Sequence, residues 1–370
     1  MKRVKLEDDE QQGGYELLGG PVEFFSTGSL PLNLAASNKG VDGGWARARI
    51  INLVGDRSSG KTLLALEGCF NAWCTFPFYK SRLFPKVKEV KVQFNSVEGV
   101  MDFPLEAMYG TEFFEAIDWT RHGTAEEAGR RVLREMDNQK PGTSIIHVID
   151  SWDALDSEED RAAFEKSIKE DKPIEGSYHL GKQAFGSKHF FKAVADRLAY
   201  NRLDFTLFII SQTRERIGVT FGEKYYRAGG KALDFYSHQI CWLHESRKIP
   251  RESDGEKMTV GVDIIGNFKK NKVAPPFRQG KAVIYFNHGV DDYSSMVDYG
   301  WPRGKKGTVF KLESMEKPYK MREAFIERII KDRKKKELED FCEEKWKRVV
   351  QNTQVERPPK FEKLERDIDV

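Results

Sequence analysis

Short apolar runs rich in β-branched and aromatic residues recur through the first 290 or so positions, separated by stretches of helical character. Ile50–Val54, Val90–Phe94, Ile145–Ile149, Thr206–Ile210, Gln239–Leu243, Val260–Ile265 and Ala282–Phe286 each read as a strand. That alternation predicts an α/β fold with a mainly parallel central sheet flanked by helices. From about residue 301 the pattern changes to strongly charged helix. Met321, Phe325, Ile329 and Ile330 recur at helical spacing beside Arg322, Glu323, Glu327, Arg328 and Lys331. The basic run Arg333-Lys334-Lys335-Lys336 lies on that helix and reads as a solvated face, with DNA capture, autoinhibition or partner binding as the functional alternatives for these C-terminal helices. The expected organisation is a short N-terminal segment (1–23), a core (24–300) and a small charged helical region with a tail (301–370).

Composition narrows the class. The chain has 370 residues, 32% of them charged and 39% apolar, which suits a globular fold. A net charge of only +3 means that any nucleic-acid surface must be a local patch. No stretch approaches the roughly 20 apolar residues of a membrane span, and the first ten residues lack the apolar centre of a secretory signal. Cys69, Cys74, Cys241 and Cys342 have neither metal-ligand spacing nor a disulfide framework. A reducing, cytoplasmic setting is expected.

Candidate chemistry begins directly after the first core strand. Gly55-Asp56-Arg57-Ser58-Ser59-Gly60-Lys61-Thr62 lies between Ile50–Val54 and the apolar helix start Leu63-Leu64-Ala65-Leu66. The strand–loop–helix context makes this a phosphate-binding loop. Gly55 and Gly60 let successive backbone N–H groups point inward, and the helix start adds its positive end. Lys61 is then placed for the β- and γ-phosphates of a nucleoside triphosphate, and the Thr62 hydroxyl for Mg²⁺. ATP and Mg²⁺ are the expected cofactors.

A second element follows some ninety residues on. Ile145–Ile149 ends in Asp150, the position at which a carboxylate completes the Mg²⁺ shell opposite Thr62. His147, inside that strand, reads as a core histidine. Glu98, at the end of another strand, would orient and deprotonate the attacking water, although spacing alone leaves that role open. Thr206–Ile210 runs into Ser211-Gln212, whose neutral amide would sense a γ-phosphate and relay its presence onward.

The segment 213–230 is the second informative stretch. Arg214, Arg216, Lys224 and Arg227 supply cations, Phe221, Tyr225 and Tyr226 supply stacking surfaces, and Gly218, Gly222, Gly229 and Gly230 give mobility. It reads as a nucleic-acid-binding loop or as a long surface loop with ordinary charges; its length inside a compact core favours function.

Together these residues resemble one family, the bacterial RecA recombinases and their phage relatives of UvsX type, over about residues 24–295. Ser26-Thr27-Gly28-Ser29-Leu30 with Leu32 resembles the segment that leads into the family's first core strand. The loop 55–62 is similar to the family form, with Asp56 where proline is common. Asp150-Ser151 with Ala154-Leu155 resembles the metal-binding strand end. Ser211–Gly222 resembles the γ-phosphate-sensing Gln running into the second DNA-binding loop, and Gly229–Tyr236 resembles that loop's exit. Lys270-Asn271-Lys272-Val273-Ala274-Pro275-Pro276-Phe277 is the most specific match outside the phosphate loop.

The resemblance implies a RecA-like ATPase core with roles that spacing does not give. Glu98 becomes the water-activating base and Asp102 a nucleotide contact. Lys61 and Gln212 complete the catalytic set, together with Lys270 and Lys272, which would reach the ATP of an adjacent protomer. Phe235 would touch the neighbouring subunit. DNA would be held by Arg214, Arg216, Gly218, Phe221, Lys224, Arg227, Gly229 and Gly230, by a first DNA-binding loop at about 173–187, and by Lys188. The implied partners are single-stranded DNA, homologous duplex DNA, further copies of this chain in a helical filament, and single-strand-binding or loader proteins.

Departures accompany the likeness. The N-terminal segment shows no clear amphipathic helix, residues 156–172 look like an insertion, and Leu105 stands near where an aromatic stacks on adenine. These features suggest a phage-encoded member acting in the host cytoplasm. Two functional readings stand at this point. One is a DNA-dependent ATPase of homologous recombination. The other is a RecA-fold ATPase that acts as an assembly switch or recombination mediator without strand exchange.

Overall fold

The computed structural model describes residues 22–78, 80–99, 104–171, 182, 185–200, 203–215, 225–227, 231–302 and 308–357. Twelve strands run along these residues: β1 (Phe24–Phe25), β2 (Trp45–Ala46), β3 (Ile50–Gly55), β4 (Glu89–Ser96), β5 (Ile117–Thr120), β6 (Thr143–Asp150), β7 (Phe205–Glu215), β8 (Tyr225–Arg227), β9 (Gln239–Ser253), β10 (Glu256–Asn271), β11 (Gln279–Tyr285) and β12 (Gly289–Val290). β1 and β2 pair with each other, and the rest form one sheet in the order β12-β11-β10-β9-β3-β7-β6-β4-β5, with β8 beside β7. From β9 to β5 the strands in that order are all parallel, β8 runs antiparallel to β7, and β10, β11 and β12 form an antiparallel flank.

The parallel part is buried on both faces, which is why its strands read as apolar runs. Side chains alternate between two cores, as the two-residue period of a strand requires. Ile145, Ile149, Leu207 and Ile209 face one core with Phe191 and Val194. Ile146, Val148, Phe208 and Ile210 face the other with Leu63, Leu64 and Leu66 of the helix Lys61–Thr75. His147 is buried in the strand as expected, its Nδ1 3.0 Å from Gln93 Oε1. Its burial pushes the imidazole pKa down to about 3, so it stays neutral.

A third core lies beyond the antiparallel flank. Leu30 and Leu34 pack there with Met296, Val297, Phe310, Phe325, Ile329 and Leu338. The predicted helix at 321 is the helix Arg322–Lys331, but its buried face is Arg322, Phe325, Ile326 and Ile329. Met321 and Ile330 are exposed. The basic run does not continue that helix. Arg333, at φ +53°, and Lys334 lie in a turn, and Lys335 and Lys336 open a separate helix, Lys335–Asn352.

β9 and β10 are much longer than their apolar centres. Past Leu243 the side chains of β9 are mostly exposed, and beyond Ile249 and Gly261, where β11 no longer pairs, the two strands continue as a two-stranded ribbon that is mostly exposed, so no apolar pattern marks it. The ribbon turns at Asp254-Gly255, both with positive φ, between paired Ser253 and Glu256, the geometry that an Asp-Gly hairpin turn demands. Residues 156–172 contain the helix Glu158–Glu170, capped by the Ser157 hydroxyl and with no buried residue.

Candidate active site

β3 ends at Gly55, and the chain curls through residues 56–60 into the helix Lys61–Thr75. Gly60 sits at φ +82°, and a Cβ there would come within 3.0 Å of Ile284 Cδ1. At Gly55 a Cβ would lie 2.5 Å from Ser59 Oγ and 2.6 Å from the Leu243 carbonyl. Both positions therefore need glycine, one for backbone conformation and one for space. Ser58 also takes positive φ, while Asp56, Arg57 and Ser58 are exposed. Lys61 Nζ folds back over its own loop, donating to the Asp56 carbonyl at 2.6 Å and approaching Ser59 Oγ at 3.5 Å. Burial lowers the Lys61 pKa, opposed by the charges of Asp150, Glu98, Asp56 and Asp153.

The ends of three further strands close the site. Asp150 ends β6, and its Oδ2 accepts the Thr62 hydroxyl at 2.6 Å. Burial raises the Asp150 pKa to about 6, and the charge of Glu98 acts in the same direction; the Thr62 hydrogen bond and Lys61 pull against it. Glu98 follows β4, and Gln212 lies near the end of β7. Glu98 Oε1 accepts both the Ser151 hydroxyl at 2.6 Å and Gln212 Nε2 at 2.5 Å. Residues 114 positions apart thus meet in one cleft of about 560 Å³, lined by Lys61, Thr62, Glu98, Asp150, Gln212 and Arg214 among others. The cleft opens at the carboxyl ends of adjacent parallel strands, where open α/β sheets hold their ligands.

The donor set fits a nucleotide with Mg²⁺. Thr62 and Asp150 offer one hydroxyl and one carboxylate, and among the described residues no group of three or more His, Cys, Asp or Glu side chains is arranged to hold a metal alone. That is the provision Mg²⁺ needs when phosphate oxygens and water complete its octahedron.

Other predicted residues lie apart from the cleft. Lys270 Nζ donates to the Asp234 carbonyl and, at 2.9 Å, to that of Phe235; Lys272 Nζ reaches the Phe235 carbonyl at 3.3 Å. The two ammonium groups thus cap the short helix Lys231–Tyr236, and burial helps to push the Lys270 pKa down to about 8, with Lys272 adding to it. Phe235 on that helix is exposed. Arg227, read in the sequence as a cation of the DNA loop, has a buried guanidinium that donates to Asn52 Oδ1 at 2.7 Å and pairs with Asp234 at 3.0 Å. In this geometry it ties β8 to β3 and to the helix. Arg214 does stand exposed. Lys188 falls on the wide helical turn Gly186–Phe190. Asp102, Arg216, Gly218, Phe221, Lys224, Gly229, Gly230 and the segment 173–181 lie outside the described residues. Leu105 is buried in the core cluster around Phe94 and Phe113.

Sequence reasoning missed two groups at this site. Ser151 holds Glu98, and Asp153 Oδ2 accepts the backbone N–H of Gln212 at 2.6 Å. The only signal for Asp153 was an acidic residue three positions after Asp150.

Comparison with known proteins gives the family. Residues 141–291 match the RecA N-terminal domain. Over 321 residues the chain is 30% identical to protein RecA of Corynebacterium aurimucosum, which covers 83% of this chain and 74% of that protein. The chain belongs to the RecA family. It is also 30% identical to protein RecA of Pseudarthrobacter chlorophenolicus over 78% of its own length and 73% of the relative's. With protein RecA of Streptomyces venezuelae it shares 30% identity over 77% of its length, but it spans only 65% of that relative. These RecA relatives are bacterial proteins and lend no support to a phage origin. The domain match includes Asp150, Gln212, Phe235, Lys270 and Lys272 but begins after the phosphate loop and Glu98, whose assignments rest on sequence pattern and geometry. No helix among the described residues is long and apolar enough to cross a membrane.

Proposed function

We propose that this chain is an ATP-hydrolysing, single-stranded-DNA-binding recombinase that assembles into a helical filament and promotes homologous pairing and strand exchange. The observation that carries the reading is the shared hydrogen bonding of Glu98 and Gln212. The candidate base and the candidate γ-phosphate sensor hold each other at the point where β7 leads toward the candidate DNA loop.

Each residue then has a task. Lys61 exchanges its bonds to the loop for the phosphates of ATP. Thr62 and Asp150 hold Mg²⁺, which when bound neutralises developing phosphate charge. Glu98 takes a proton from the attacking water, and Gln212 transfers its amide from Glu98 to the γ-phosphate, freeing the base. Gln212 also moves the start of the loop that bears Arg214, so that ATP favours a DNA-binding arrangement. Asp102 contacts the nucleotide, and Arg216, Phe221, Lys224 and the glycines 218, 229 and 230 meet DNA with Lys188. Lys270 and Lys272 complete the ATP site of the next protomer, with Phe235 at the same interface.

The deciding assay is ATP hydrolysis with and without single-stranded DNA, beside Lys61→Ala. Stimulation by DNA that vanishes in Lys61→Ala is the expected outcome, and joint-molecule formation with homologous duplex then tests strand exchange. Hydrolysis indifferent to DNA would overturn the proposal in favour of a RecA-fold switch. Electron microscopy with DNA and a slowly hydrolysed ATP analogue would then show closed rings or monomers in place of extended filaments.

A further inference from the structure

Asp153 lines the cleft, yet the mechanism above has no use for it. It sits on the short helical turn Trp152–Ala154, just beyond β6. Its Oδ2 accepts the main-chain N–H of Gln212 at 2.6 Å. Its own main-chain carbonyl and that of Leu155 accept Lys182 Nζ at 3.1 and 2.6 Å. Arg214 and Arg227 also lie close enough to act on its charge. Its Oδ1 is buried and has no hydrogen-bond partner among the described residues. A buried carboxylate oxygen left unpaired costs free energy and calls for a reason.

The geometry around it supplies one. Gln212 is held twice, by its side-chain amide on Glu98 and by its main-chain N–H on Asp153. If the amide swings away, the main-chain clamp becomes the pivot, and displacement passes into Thr213–Glu215. The same turn, with Leu155 directly after it, anchors Lys182, which falls within the segment expected to form the first DNA loop. We propose that Asp153 is a positioning residue that couples Arg214 to the γ-phosphate sensor: it fixes the main chain of Gln212 through Oδ2, and its unpaired Oδ1 takes up the Arg214 guanidinium when DNA binds. This deepens the DNA-dependent ATPase reading and rests on it.

The full chain, Asp153→Ala and Asp153→Asn are compared by kcat and KM for ATP, with and without poly-dT, and by thermal melting. Asp153→Ala should lower the ratio of DNA-stimulated to DNA-free kcat by about tenfold or more, the size of a typical coupling between sites. KM for ATP should move far less, which separates loss of coupling from loss of nucleotide binding. Asp153→Asn retains an acceptor for the Gln212 N–H and the same shape, so it should fold and fall between the two. An unchanged ratio in both variants overturns the proposal, as does a parallel fall of both rates with the melting temperature. A wild-type chain indifferent to poly-dT would sink the DNA-dependent ATPase reading itself and this coupling with it; stimulated wild type with unaffected variants would sink the coupling alone.

Discussion

Glu67 shows how one side chain can set the pH behaviour of the fold without touching the cleft. It lies on the helix that follows the phosphate loop and is nearly buried; its Oε2 accepts the Tyr109 hydroxyl at 2.8 Å. Burial raises its pKa to about 7, against hydrogen bonds from Tyr109, Val290 and Asn71 that pull it down. A carboxyl whose folded pKa exceeds its unfolded value binds its proton more tightly in the native state. Its stabilisation is complete below about pH 4.5 and is lost as pH rises to about 7. Glu67→Gln keeps an acceptor for Tyr109 and carries no charge, so at pH 8 it should be more stable than wild type by up to about 3 kcal/mol and melt higher, with no gain at pH 4. Melting curves across that range check it, and an equal shift at both pH values would refute it. In the cleft itself, Glu98→Gln should lower kcat by about 10²–10⁴-fold while ATP still binds; Gln212→Ala should abolish stimulation by DNA. An unchanged stimulated rate in Gln212→Ala would disconnect the sensor from the loop.

At the scale of elements, legibility followed local physics. The phosphate loop was readable because glycine at 55 and 60 and the apolar elements on either side all occur within twenty residues. The parallel strands were readable because burial on both faces leaves a continuous apolar run. The outer β9–β10 ribbon was not, since its exposed side chains show no period, although Asp254-Gly255 marked its turn. The setting of Arg227 was hidden for a related reason: sequence shows its charge but not the Asn52 and Asp234 side chains that enclose it. The break at Arg333 hid inside a basic run that is compatible with helix throughout. A loop that depends on one left-handed residue makes a direct prediction. Gly60→Ala would force a Cβ toward Ile284 at φ +82°, which should cost about 1–3 kcal/mol of stability. It should also weaken ATP binding, because the loop would lose the curl that leads it into the helix Lys61–Thr75. Chemical denaturation and nucleotide titration measure the two effects, and an Ala variant with wild-type affinity would show that the curl does not need this backbone state.

For the whole molecule, the question is what Lys270 and Lys272 do when they are not capping a helix. In one chain they satisfy the carbonyls of Asp234 and Phe235, a favourable place for cations at a helix C-terminus. To reach a neighbour's phosphates they must leave those carbonyls, beside an exposed Phe235 with Lys272 6.0 Å from its ring. Contact between subunits and completion of the ATP site would then be one event. Phe235→Ala should leave the monomer's stability within about 0.5 kcal/mol, as an exposed substitution does, yet yield smaller assemblies by sedimentation. The sharper test mixes two inactive chains. A Lys270→Ala subunit still offers an intact Lys61, and a Lys61→Ala subunit still offers an intact Lys270. In a head-to-tail assembly built from equal amounts of both, about a quarter of the interfaces join the two intact halves. The mixture should therefore hydrolyse ATP at about that fraction of the wild-type rate, where each variant alone does not. If Lys270 acts within its own chain, no pairing restores a complete site, and the mixture stays as inactive as its components.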